Sequence, residues 1–214
     1  MIPARSALEC GGLTPPPEQA SESEQGVVEP PHSRRFARHF IWEPKMLENV
    51  FAILASTPQK LQRELRDFSP REMKKRPAPG KWSVQEILAH LADVERVGMR
   101  DRVEAIVTQE RPALDPFDQE KRAVEMHYDR IEPRKSLASL TRQRRANVKW
   151  LRELGPVQLR RVGVHKKVGE VSALEFLYEW AFHDLGHLKQ ILEVKRYALY
   201  PQMGNMQKFY QFGQ

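Results

Sequence analysis

Near the end of the chain, Phe182-His183-Asp184-Leu185-Gly186-His187-Leu188 sets two imidazoles four residues apart, with a carboxylate beside the first. Residues at that spacing share one face of a helix, so His183 and His187 can grip a single metal ion. A third histidine, His90, stands well upstream in Leu88-Ala89-His90-Leu91. Neutral imidazole suits zinc, nickel, copper or iron(II), and three histidines leave a coordination position open for water or substrate. Such an open site can lower the pKa of a bound water or thiol and make a nucleophile near neutral pH. Asp184 falls close to the centre of the apolar stripe that this helix carries. A buried carboxylate without a partner is costly, so an imidazole, an arginine or the metal must meet it.

The histidines need helices to hold them, and the sequence supplies these. Leu174, Leu177, Ala181, Leu185, Leu188, Ile191 and Leu192 repeat at helical spacing, and Ser172-Ala173-Leu174-Glu175 is a capping box at their start. The helix is expected to run to about Ala198. A second capping box, Ser83-Val84-Gln85-Glu86, opens a helix that reaches about Gln109. Its core stripe is Val84, Ile87, Leu88, Leu91 and Val94, with His90 at the stripe's edge. Upstream, Leu47, Val50, Phe51 and Leu54 make an amphipathic run that Thr57-Pro58 is expected to break and restart. Glu132-Pro133 begins another long helix, with Leu137, Leu140, Leu151 and Leu154 inward and its arginines outward. Gly155-Pro156 ends it. A loop or short hairpin is expected from Leu159 to Val168. Four principal helices without a strong strand pattern predict an all-α four-helix bundle.

The 214-residue chain is large enough for one domain with a substantial core. No apolar run is long enough to span a membrane, and the first residues lack the apolar segment of a secretory signal. The single cysteine, Cys10, excludes an internal disulfide framework and fits a reducing cytoplasm. Residues 1–40, with Pro15-Pro16-Pro17 and Glu29-Pro30-Pro31 around a polar stretch, carry too little apolar surface to fold and are expected to be disordered. A bundle domain over 41–200 and a C-terminal tail over 201–214 complete the organisation. The net charge of +7 is concentrated in Arg134–Arg152 and Arg160–Lys167. A solvated helix face explains these basic residues better than nucleic-acid binding, because only Trp150 interleaves them and no groove-reading motif is present.

Lys81-Trp82-Ser83-Val84-Gln85-Glu86-Ile87-Leu88-Ala89-His90-Leu91-Ala92-Asp93-Val94-Glu95 and Glu179-Trp180-Ala181-Phe182-His183-Asp184-Leu185-Gly186-His187-Leu188-Lys189-Gln190-Ile191 together resemble the DinB-like superfamily. The resemblance covers roughly residues 45–198. It implies a four-helix bundle holding a divalent metal, zinc first and nickel second, on the positions of His90, His183 and His187. It also implies a small-molecule substrate, a low-molecular-weight thiol as a possible co-reactant, and a homodimer. Thiol S-transferase or hydrolase chemistry is the function it suggests. Asp184 or Glu86 would then support a ligand imidazole. The alternatives are a bundle that binds metal without catalysis and a basic helical nucleic-acid-binding protein. The His183-Asp184 pair also brings to mind HD-type phosphohydrolases, but those need a later aspartate, and none follows Asp184. His127 is a further candidate for the pocket mouth, with a surface position as the simpler expectation.

Overall fold

The computed structural model describes residues 44–210 and 212; the stretch expected to be a disordered tail, including Cys10, lies outside them. Four long helical units form the bundle. These are α1 (Pro44–Glu64), the unit made of α3 (Val84–Val94) and α4 (Asp101–Thr108), α6 (Pro133–Arg152) and α8 (Ala173–Leu199). Short helices α2 (Pro70–Lys74), α5 (Gln119–Glu125) and α7 (Pro156–Leu159) lie in the connections. The two capping boxes form as expected: Ser83 Oγ accepts from the Glu86 amide and Ser172 Oγ from the Glu175 amide, and each glutamate reaches back to its serine. No helix among the described residues is long and apolar enough to cross a membrane.

Two features depart from the sequence reading. Helix α1 passes straight through Pro58, with no break at Thr57-Pro58. The proline removes one amide donor and leaves the Leu54 carbonyl without its helical partner. That carbonyl is taken instead by the Arg144 guanidinium, 2.9 Å away. The second departure is a turn of π-helix, Glu95–Arg100, between α3 and α4. Such a turn inserts one extra residue into the helix and commonly marks a functional site. Here it carries Glu95 into the interior, where only 1% of its surface is exposed.

The expected hairpin is present as β2 (Val162–His165) and β3 (Gly169–Ser172), paired antiparallel with Val162 opposite Ser172. A short strand that the sequence pattern did not reveal, β1 (Ala113–Leu114), runs parallel to β2, with Ala113 opposite Val164. Gly163 lets this small sheet sit against α4, because a Cβ there would lie 3.0 Å from Ile106 and Leu114. The pairing anchors the 113–118 connection and so fixes where Phe117 falls. After α8, residues Tyr200–Phe209 form 3-10 turns broken at Gly204, and Phe212 stacks near Tyr197 and Tyr200.

The core runs the length of the bundle through Leu61 of α1, Ile87 and Leu88 of α3, Leu140 of α6 and Ile191 of α8. Asp93 ties α3 to the following connection. Its carboxylate accepts from Arg122 Nε at 2.7 Å, Arg122 Nη2 at 2.9 Å and the Tyr128 hydroxyl at 2.7 Å. Burial pushes the Asp93 carboxyl up, but Arg122 and Tyr128 outweigh it and hold the group below the usual aspartate range. Asp93→Asn should therefore destabilise the fold by about 1–3 kcal/mol at neutral pH. The folded carboxyl ionises at lower pH than an unfolded one. Its stabilisation is fully present above the ordinary aspartate range and is lost as pH falls through the depressed value. Urea unfolding of both proteins across pH 7 to 3 should show the gap closing at the acid end.

Candidate metal centre

His90 projects from α3, and His183 and His187 project from successive turns of α8. The capping boxes set where these helices begin, and α3 packs against α8. The three rings meet through their Nε2 atoms. His183 Nε2 lies 3.1 Å from His90 Nε2 and 3.0 Å from His187 Nε2, and one ligand atom from each residue falls within 4.8 Å of the others. His90 and His187 are buried and His183 is half-buried. The sequence-derived trio is thus brought to one point.

Protonation explains why this arrangement suits a cation. Gln190 Oε1 sits 2.8 Å from His187 Nδ1, so that nitrogen carries the proton and His187 Nε2 offers a lone pair inward. A single proton on His183 Nε2 can serve only one of its two close contacts, leaving another pair of nitrogen lone pairs face to face. A positive ion at the centre would satisfy all three. The environment also keeps the rings neutral. Burial and the neighbouring histidines hold His90 well below the ordinary imidazole pKa. Burial, His187 and Arg144 do the same to His183. Burial lowers His187 as well, against the opposing effects of Gln190 and Asp184. Neutral imidazole is the ligating form.

Aromatic residues wall the site. Trp82 meets the His90 ring edge-on at 5.0 Å, Tyr128 approaches it at 6.1 Å, and Phe117 lies 6.1 Å away on the other side. His127 is exposed, in a left-handed backbone conformation, and takes no part.

Asp184 finds the arginine that its position demanded. Arg144 donates to both Asp184 oxygens, with Nη2 at 3.0 Å from Oδ1 and Nη1 in closer contact with Oδ2. It also grips Glu95 through Nε at 2.9 Å and Nη2 at 2.7 Å. Glu95 further accepts from Asn147 Nδ2 at 2.9 Å and from the Trp180 indole at 3.0 Å. Arg144 is therefore buried, not part of the solvated basic face, and Asp184 has no exposed surface. Glu86 is likewise occupied, by Arg76 and by its Ser83 cap. Neither carboxylate bonds a histidine ring, and the Nδ1 atoms of His90 and His183 have no hydrogen-bond partner among the described residues.

The sequence reading missed two residues. Gln190 occurs three positions after His187, a spacing that could have identified it. Glu179 stands four residues before His183, on the face shared by the histidine pair. It is exposed and makes no hydrogen bond or ion pair among the described residues, and partial desolvation pushes its carboxyl up against the opposing charge of Arg102.

Fold and site together define a four-helix bundle with a three-histidine cluster between two facing helices. The sequence model of the DinB superfamily matches residues 53–191, and the chain belongs to that family. Curated relatives carry matching names. "Putative metal-dependent hydrolase OB0782" of Oceanobacillus iheyensis is 27% identical over 68% of this chain and 79% of its own length. "Putative metal-dependent hydrolase YfiT" of Bacillus subtilis is 27% identical over 67% of this chain and 81% of its own. The solved structure of YfiT, described as a probable metal-dependent hydrolase with an unusual four-helix bundle topology, superposes with a TM-score of 0.68. It does so at 22% identity over 74% of this chain and 90% of that one, a likeness of fold.

Removing the Arg144 side chain would leave two carboxylates buried and unpaired. Arg144→Ala should cost about 3–5 kcal/mol in chemical unfolding, far more than Arg152→Ala, which loses an exposed pair with Glu48 and a contact over the Phe51 ring.

Proposed function

We propose that this protein is a metal-dependent enzyme acting on a small molecule through an open site held by His90, His183 and His187. The observation that carries the proposal is the convergence of three Nε2 atoms, neutral by environment, on one point. The buried charges behind the site support it. Glu95 and Asp184 against Arg144 leave one net negative charge in the interior beside the histidine helix, an arrangement that favours a dication over a proton-poor void. Zinc suits an all-imidazole donor set, with nickel as the second choice.

A bound ion would supply a lowered pKa for a coordinated water or thiol. The chain's own residues do the rest. The histidines fix the position, with His187 oriented by Gln190. Trp82, Phe117 and Tyr128 provide apolar walls that limit water at the reacting centre. Glu179, unpaired on the same helix face, is the carboxylate available to accept the nucleophile's proton, because Asp184 is committed to Arg144. Hydrolysis agrees with the names of the relatives, and conjugation of a low-molecular-weight thiol is the second chemistry that such a site supports. A homodimer is part of the same reading. Phe182, Leu185, Leu192 and Leu199 are exposed along α8, an apolar stripe that a second copy would cover.

Elemental analysis of the purified protein should find about one divalent ion per chain, retained by wild type and largely lost from His90→Ala, His183→Ala and His187→Ala. Unchanged metal content in all three variants would overturn the site. With metal-loaded protein, a screen of ester hydrolysis and thiol conjugation should identify a substrate. Glu179→Gln should then lower turnover on it by roughly a hundredfold while keeping its metal. Sedimentation should return twice the chain mass, and Phe182→Glu should return a monomer; a monomeric wild type would remove the dimer from the proposal.

A further inference from the structure

A second recess lies away from the histidines, between the end of α1, the α2 connection and the outer side of α6. Its volume is about 870 Å³, and Leu65, Phe68, Met73 and Leu137 give it an apolar floor. Around it stand Arg66, Arg134, Arg142 and Arg145, and no Asp or Glu lines the space. All four arginines are exposed, and none makes an ion pair or side-chain hydrogen bond among the described residues. Several other basic side chains are matched, among them Arg122 with Asp93, Arg152 with Glu48, and Lys195 with Glu64 and Asp67. Three of the unmatched guanidinium groups come from one helix, α6, and the fourth faces them from just beyond α1.

From this lining we infer a binding site for a single-chain anionic amphiphile, an acyl or alkyl chain bearing a phosphate or carboxylate. The recess falls within the ~300–1,000 Å³ range of clefts that hold one small ligand. Its apolar floor takes the chain, and forked guanidinium groups match a phosphate or carboxylate headgroup. Nucleic acid suits it less well. A single-strand site needs aromatic faces for successive bases, and the one aromatic in the lining, Phe68, already lies 5.7 Å beneath Lys195 Nζ. The recess is an open groove with room for one molecule, not the flat basic surface that would lie on a bilayer. The site stands apart from the metal centre and does not depend on its chemistry.

Calorimetric titration of the full-length protein with decyl phosphate, below its micelle concentration, tests the inference. Decyl phosphate should bind at one per chain. Octyl phosphate should bind about tenfold more weakly, because two buried methylenes are lost, and inorganic phosphate more weakly still. Arg142→Gln/Arg145→Gln, two exposed substitutions, should weaken decyl phosphate by at least tenfold with an unchanged circular dichroism spectrum and metal content. Equal affinity for inorganic and decyl phosphate would overturn the inference in favour of a simple anion patch. Binding seen only with phosphatidylglycerol vesicles would reassign the face to a membrane surface. Tighter binding of a single-stranded oligonucleotide, abolished by the same double substitution, would reassign it to nucleic acid.

Discussion

One guanidinium holds this bundle to a single arrangement. Arg144 enters the interior from α6 and meets Glu95 of the π turn, Asp184 of α8 and the Leu54 carbonyl of α1. Each of the other three long helical units contributes a partner, so none can slide or rotate without stranding a buried polar group. Apolar packing alone tolerates small shifts of register, because one methyl group can replace another. Charged hydrogen bonds in a low-dielectric interior are directional and do not. Pro58 and the π turn, which look like defects when each helix is read alone, are the features that free a carbonyl and aim a carboxylate at this arginine.

The histidine cluster depends on that fixity. Asp184 is covalently next to His183, so the grip of Arg144 on Asp184 also sets the rotation of α8 at the site. The placement of the three rings comes from this neighbouring ion network and not from carboxylates bonded to the imidazoles. Burial and mutual proximity then disfavour protonation of the rings. Neutral rings at these distances leave nitrogen lone pairs facing one another within the cluster. Glu179, on the same helix face as the histidine pair, differs from Asp184 and Glu86 in making no hydrogen bond among the described residues.

The positive charge of the chain resolves into distinct parts. Arg144 is structural and buried, Arg122 and Lys195 clamp connections, and four arginines without ion pairs among the described residues line the apolar recess beside α6. A net charge of +7 is therefore not spread as a uniform solvating coat. Part of its unbalanced portion sits over apolar surface, a combination that solubility alone does not require.

The sequence by itself determined the helices and the histidine trio. Ser83 and Ser172 with their glutamates mark two helix starts by local hydrogen bonding, and the spacing of His183 and His187 is a property of one helix. It also determined that Asp184 needed a partner, since a carboxylate on the apolar stripe cannot remain alone. Which partner it meets was decided by tertiary structure. Arg144 looked like one more residue on a basic face, because helical periodicity does not say which long side chain will cross the core. Pro58 looked like a helix break, because the donor that takes up the freed Leu54 carbonyl lies ninety residues further on, in α6. The π turn, β1 and the position of Phe117 over His90 were invisible for the same reason: each depends on contacts between distant segments. Local pattern sets the elements and the donors they carry. The direction in which those donors point is settled only when the bundle closes around Arg144.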